Sequence, residues 1–320
     1  MTKISISFFR IVALFIIIFM PTAILSKDVV GSFADDDRTS GSISLNMNHP
    51  KLKIVTSFYP LLEFTKQIGG NRVEVSSLVP IGIEPHDFDP TIRQIQNAET
   101  ADILIYNGAG LEKWIEKINV KSKVDASQNL SLLNSNGEDK SGMYDPHVWL
   151  DPVLAKGQVE SIRNALMNAD PLNAKYYSEN ANKFIEKLGK LDDDIRGELL
   201  DCKKHDFISF HNSFSYFAKR YGLNQHSIYG LSPEGEILPQ KLQQIIQLAK
   251  DKAINTIYSE SLIDPRFANV VAEEIPNGKV MVLSPIEGIN QKEQNQGIGY
   301  LDKMYENIKS LRIGLECPLK

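Results

Sequence analysis

The chain predicts an α/β fold of two (β/α) lobes of similar size, each built on a mostly parallel sheet and joined by one long helix, with a cleft between them. Three observations predict it. Short apolar runs alternate with helical patterns before residue 170 and again after residue 203, which is the signature of parallel strands with crossover helices. A single helical stripe runs from Pro171 to about Leu200 between the two halves. Three histidines, His86, His147 and His211, each follow a strand or sit in a proline-stiffened loop, where open α/β sheets hold their ligands.

Length and charge set the bounds. The 320 residues suit two domains or one large one, and 42% apolar with 23% charged residues is ordinary for a globular chain. A net charge of −5 and the lack of a basic stripe exclude a nucleic-acid binder. The two cysteines, Cys202 and Cys317, form no C-x-x-C pair, so a cysteine zinc site is not expected. They either bridge in an oxidising compartment or are two unrelated thiols.

Residues 1–26 read as a signal peptide or an N-terminal anchor. Lys3 and Arg10 lead into an apolar run from Ile11 to Met20, followed by small residues with Ala23 and Ser26 as candidate cleavage positions. The run is shorter than the roughly 20 apolar residues of a spanning helix. With Ile24 and Leu25 included, a retained anchor over residues 11–25 is the alternative. No cysteine follows the run, so a lipid-modified N-terminal cysteine is not expected. Residues 27–50 carry Asp35-Asp36-Asp37 and no apolar period, and read as a flexible tether ending at a solvated His49.

The N-terminal lobe spans 51–169. Strands are expected at 53–58, 73–79 and 102–106, and helices at 60–68, 91–97, 112–118 and 153–169. Gly69-Gly70 closes the first helix, and residues 134–142 form a polar loop. The linking helix spans 170–203. Asp170-Pro171 opens it, and Tyr177, Ala181, Phe184, Leu188, Leu191, Ile195 and Leu199 recur at steps of three and four. It is roughly 45 Å long at 1.5 Å per residue. The C-terminal lobe spans 204–320, with strands at 206–210, 225–229, 255–260 and 279–283 and helices at 213–221, 239–250, 266–275 and 300–310. Asn212 is the expected cap of the first of these helices and Gly222 its stop. No internal sequence repeat is evident.

The chemistry lies in the stiff loops. Asp145-Pro146-His147-Val148-Trp149-Leu150-Asp151-Pro152 brackets a histidine with two Asp-Pro steps, and each proline restricts itself and the residue before it. Pro80 to Pro90 holds His86 between prolines in the same way, and His211 ends a strand. Separations of 61 and 64 residues put two of these histidines in the first lobe and one in the second, so they meet only in the cleft. Three imidazoles and a carboxylate suit a tetrahedral zinc ion. The alternative is three unrelated polar loop residues. His205 reads as solvated, and His226 as packed or water-facing.

Four stretches carry a family resemblance: P-I-G-I-E-P-H-D-F-D-P at 80–90, D-P-H-V-W-L-D-P at 145–152, F-H-N-S-F-S-Y-F-A-K-R-Y-G-L at 210–223 and I-Y-S-E at 257–260. The chain resembles the zinc/manganese-binding solute-binding proteins of metal ABC importers, the ZnuA/TroA-like family, over residues 51–310. The resemblance implies a rigid linking helix, a metal between the lobes, and His86, His147 and His211 as its ligands. A histidine at 211, where manganese-type members carry glutamate, tilts the cargo toward Zn²⁺, with Mn²⁺ as the alternative. Many members supply an aspartate after the strand at 279–283. Here the stretch reads Leu283-Ser284-Pro285-Ile286-Glu287, so Glu287, a water or an open position completes the shell, and Glu287 reads equally as a ligand or as a solvated loop carboxylate. Asp145 or Asp151 is a candidate to orient His147; the alternative is that both are only turn caps. The loop before Asp145 lacks histidine, so no accessory metal-gathering site is expected.

The function so implied is capture of the ion outside the membrane by a monomer and delivery to an ABC permease with its cytoplasmic ATPase, with no catalysis. Two other readings stand beside it. One is a zinc hydrolase with three histidines and an open fourth position, although no H-E-x-x-H or G-x-S-x-G occurs. The other is a surface adhesin with a structural metal, although no separate adhesive module is evident.

Overall fold

The structure, a computed structural model, describes residues 50–135, 144–233 and 238–318. The expected leader at 1–26, and the tether with His49, lie outside the described residues apart from Pro50. Among the described residues no helix is long and apolar enough to cross a membrane.

The first half runs β1 (Leu52–Thr56), α1 (Tyr59–Gly69), β2 (Val73–Ser77), α2 (Ile92–Glu99), β3 (Ile103–Tyr106), β4 (Lys123–Asp125) and α3 (Pro152–Ala169). A 3-10 turn at Pro171–Asn173 leads into α4 (Ala174–Leu199). The second half runs β5 (Asp206–Ser209), α5 (Ser215–Tyr221), β6 (Asn224–Ser227), α6 (Pro239–Asp251), β7 (Thr256–Ser259), α7 (Arg266–Glu273), β8 (Lys279–Val282), α8 (Gln291–Asn295) and α9 (Tyr300–Gly314). The strands form two parallel four-stranded sheets of the same order, β2-β1-β3-β4 and β6-β5-β7-β8. The two lobes therefore repeat one topology without a visible sequence repeat.

Strand side chains alternate between faces, and here the alternation divides the core in three. Ile54, Ile103 and Ile105 of the first sheet, and Phe207 and Tyr258 of the second, face a central core. Val55 and Leu104 face an outer core with Trp114, while Ile208 and Ile257 face another with Ile245 and Val271. The central core is closed by α4, whose expected stripe from Tyr177 to Leu199 is buried at every position. That stripe touches both lobes' apolar surface, so the lobes share one core rather than meeting at a wet hinge. The exposed face of α4 carries ion pairs at helical spacing, Lys175–Glu179, Lys190–Asp194 and Arg196–Asp192, of the kind that adds a few tenths of a kcal/mol each.

Local chemistry sets the boundaries. Thr91 and Gln94 form a reciprocal capping box that starts α2. Gly222, at φ 69°, ends α5 in the left-handed conformation that only glycine adopts without strain. Two local expectations differ. The helix expected at 112–118 is a 3-10 turn at Ile115–Lys117, because the buried Glu112 carboxylate folds back to accept the N–H groups of Asn107 and Gly108 at 2.8 and 3.1 Å. The long helix opens at Pro171 as expected, and its first turn, Pro171–Asn173, is 3-10. Asn212 does not cap α5; its Oδ1 accepts from the Ser215 hydroxyl at 3.1 Å, and the cap position falls to Phe214. The short elements β4 and α8 carry too few residues to show a period.

Cys202 and Cys317 are bridged across 115 residues. The bond ties the chain just past α4 to the chain just past α9. Arg312–Glu198 at 2.7 Å and Lys204–Glu316 at 2.6 Å reinforce the same corner. The native protein should show no titratable thiol before reduction and two after it. Reduction should cost about 2–4 kcal/mol through the loop released in the unfolded chain, read as a lower denaturant midpoint; an unchanged midpoint would contradict this role.

Candidate metal centre

Four segments past the C-terminal ends of strands converge between the lobes. His86 follows β2, His147 follows β4, His211 follows β5 and Glu287 follows β8. The four side chains form a group able to hold a metal ion, with one ligand atom from each within 4.8 Å of the others. His147 Nε2 lies 3.2 Å from the Nε2 atoms of both His86 and His211. Glu287 Oε1 lies 3.1 Å from His86 Nε2, 3.1 Å from His147 Nε2 and 3.4 Å from His211 Nε2. His147, His211 and Glu287 are fully or almost fully buried, while the His86 side chain keeps 10% exposure and marks the side nearest solvent.

Two imidazoles are oriented by carboxylates of the same design. Asp145 Oδ1 accepts from His147 N at 3.0 Å and from His147 Nδ1 at 2.7 Å. Glu260 Oε1, just past β7, accepts from His211 N at 3.2 Å and from His211 Nδ1 at 2.6 Å. A proton held on each Nδ1 leaves the Nε2 lone pair aimed at the centre. His86 takes half of this arrangement: Glu84 Oε1 accepts its backbone N–H at 3.3 Å. Glu84-Pro85-His86 and Asp145-Pro146-His147 thus share one local device, an acid two residues before the histidine with a proline between. The D-P-H loop is also anchored at its carbonyls. Asn107 Nδ2 donates to Pro146 O at 2.9 Å, and the Tyr216 hydroxyl of the other lobe donates to Asp145 O at 2.7 Å.

Asp145 and Asp151, each a candidate to orient His147 or to be only a turn cap, divide the two roles: Asp145 orients the ring, while Asp151 caps α3 through Val153 N and Leu154 N and pairs with Arg220 of α5. Glu287, which had two equal readings, is buried in the group and not a solvated loop carboxylate. Glu260 was quoted in the sequence only as part of I-Y-S-E, and no spacing marked it as the partner of His211. His205 is exposed, and His226 pairs with Asp206 at 2.8 Å on β6, away from the group.

The charges are strongly coupled. Burial would lower the His211 pKa, but Glu260 and Glu287 outweigh it and hold it well above 6.5. The same contest, with Asp145 and Glu287 against burial, leaves His147 raised. Burial wins at His86, which is lowered. Burial would raise Glu287, yet His211 and His86 hold it well below the ordinary carboxylate range. The second oxygen of Glu287 is buried with no hydrogen-bond partner among the described residues, so the carboxylate's polar contacts there run through Oε1 to the three imidazoles.

Fold and donor set define a two-lobed α/β protein with a three-histidine, one-carboxylate metal group in its cleft. The family model described as "ZnuA: Zinc-uptake complex component A periplasmic" matches residues 54–314, and the chain belongs to that family. It is 37% identical over 281 residues to the high-affinity zinc uptake system protein ZnuA of Bacillus subtilis, covering 83% of this chain and 88% of that protein. It spans only 56% of the zinc-binding protein AdcA of Streptococcus pyogenes. Among solved structures, the Zn(II)-bound ZnuA-like domain of Streptococcus pneumoniae AdcA superposes with a TM-score of 0.73 at 34% identity, covering 83% of this chain and 99% of that one. The laminin-binding protein Lmb of Streptococcus agalactiae, described as bifunctional with adhesin and metal-transporting activity, gives 0.76 at 30% identity, covering 83% and 99%.

In the metal-free protein, NMR titration should show His211 protonated above pH 6.5 and His86 neutral below it. Glu260→Gln should bring the His211 midpoint down. Because its folded pKa is raised, the His211–Glu260 pair stabilises the metal-free fold fully below about pH 6.5 and loses that contribution as pH rises through the folded value. A His211 midpoint unmoved by Glu260→Gln would contradict the assignment.

Proposed function

We propose that the protein captures Zn²⁺ outside the cytoplasmic membrane, with His86, His147, His211 and Glu287 as its ligands, and delivers the ion to an ABC-type permease driven by a cytoplasmic ATPase. The observation that carries this reading is the spacing of the four atoms. Ligands about 2.0–2.1 Å from a tetrahedral zinc lie about 3.3–3.4 Å from one another. The separations of 3.1–3.4 Å around Glu287 and His147 match that edge. Three imidazole nitrogens favour zinc, whereas manganese favours more oxygens in an octahedral shell. The zinc-uptake names of the relatives support the same cargo.

Release requires no bond chemistry in the protein. Metal and protons compete for the same nitrogens, so binding expels protons from His147 and His211. The shared core along α4 favours small lobe adjustments over wide closure. Glu287 occupies the corner that an attacking water would need in a hydrolase, which disfavours that reading. The protein acts as a monomer, and residues 1–26 direct its export or anchor it at the membrane.

Titration of the exported fragment with elemental analysis should give about one zinc per chain. His147→Ala should lose more than the about 10–100-fold in affinity that outer partners carry while the fold is retained; wild-type affinity in that variant would overturn the reading. Affinity should fall as pH is lowered, starting above pH 6.5 because His211 and His147 hold protons more tightly than a free imidazole. An affinity flat between pH 8 and 6 would contradict proton competition.

A further inference from the structure

Glu287 belongs to the C-terminal lobe by chain, yet its loop is stitched to the N-terminal lobe on both sides. Two residues before it, the Pro285 carbonyl accepts the indole N–H of Trp149 at 2.7 Å. Two residues after it, the Ile289 carbonyl accepts the Gly82 N–H at 3.0 Å. Each donor comes from a segment that also carries a histidine: Trp149 follows His147 by two residues, and Gly82 precedes His86 by four. At the root of the loop, Asn307 of α9 clamps Ser284 through both of its backbone groups, at 2.8 and 2.7 Å.

Between these anchors Ile286 is fully buried at φ 57°. A β-branched residue in the left-handed region is a genuine outlier, and such backbone persists only where its surroundings over-determine it. The Ile286 N–H is held by the Ser284 hydroxyl at 3.2 Å. Trp149 is itself held on two sides. Its ring is buried against Phe58 with centroids 4.7 Å apart, and its carbonyl accepts the Tyr300 hydroxyl at 2.6 Å. A tryptophan so fixed offers one polar atom, the indole N–H, and here it is spent across the cleft.

We propose that Trp149 is a positioning residue for the metal: its hydrogen bond to Pro285 holds the strained Ile286 turn and thereby places the Glu287 oxygen against the three imidazoles. The inference rests on the reading of those four residues as zinc ligands. It also assigns Trp149 a part in selectivity. With Glu287 fixed as one close oxygen, the shell stays four-coordinate; with the loop released, the carboxylate turns and water enters, which suits ions that prefer more oxygen ligands.

Trp149→Phe keeps an aromatic ring and removes the donor. Replacement by benzothienylalanine, which keeps the indole shape and puts sulfur in place of the N–H, isolates the hydrogen bond even if the phenylalanine variant folds poorly. Zinc affinity is measured by chelator competition in wild type, in each Trp149 variant, in Glu287→Gln and in the doubles. Each Trp149 variant should bind zinc about 10–100-fold more weakly. Glu287→Gln should then cost much less in the Trp149-substituted background than in wild type, because both changes remove one interaction. Cobalt-loaded variants should lose the intense visible bands of a tetrahedral site that wild type shows. Wild-type zinc affinity with benzothienylalanine, or losses that simply add, would overturn the role of Trp149 while leaving the zinc site standing. Wild-type protein that takes up no zinc would instead overturn the reading of the site itself.

Discussion

The structure depends on one electrostatic constraint. Three imidazole nitrogens and a carboxylate oxygen are held within 4.8 Å of one another, and when the rings are neutral the hydrogen bonds behind His147 and His211 turn Nε2 lone pairs toward the centre. Acceptors brought together in a buried place repel one another unless positive charge is shared among them. The metal-free protein meets this by raising the affinity of His147 and His211 for protons; in the proposed function a divalent ion takes the protons' place. The remaining architecture serves to hold four acceptors in that arrangement. Two parallel sheets aim their carboxyl ends at one cleft, and the buried stripe of α4 fuses the lobes that carry them into one core.

That arrangement explains why the outer partners outnumber the four converging acceptors. Asp145, Glu260 and Glu84 each hold a histidine backbone N–H, and two of them also fix a ring. Asn107 and Tyr216 hold the carbonyls of the D-P-H loop from opposite lobes. The proline between acid and histidine in both N-terminal-lobe loops restricts the backbone before any partner is met. Rigidity is therefore built first by local sequence, then by contacts across the cleft.

Much of this is visible in the chain because the signals are local. The Glu-Pro-His and Asp-Pro-His tripeptides sit within a few residues, and the strand and helix patterns, the seven-position stripe of α4 included, repeat at short steps within each element. What stays hidden is set by distant partners. Nothing local marks Glu287 among 40 acidic residues; only the family resemblance offers it as one way to complete the shell, and the fold brings it to His147 across 140 residues. Glu260 meets His211 across 49 residues, and Trp149 meets Pro285 across 136. The helix expected at 112–118 fails for a local reason instead: the Glu112 carboxylate caps the turn after β3, four and five residues back, rather than extending a helix. Three-residue β4 has no period to detect, although it delivers the chain toward the D-P-H loop.

The most direct measurement is anomalous diffraction at the zinc edge from crystals of the zinc-loaded protein. The account predicts a single strong peak in the cleft, about 2.0–2.2 Å from Nε2 of His86, His147 and His211 and from a Glu287 oxygen. A peak at another place, or one in the cleft with Glu287 turned away and water in its position, would contradict it.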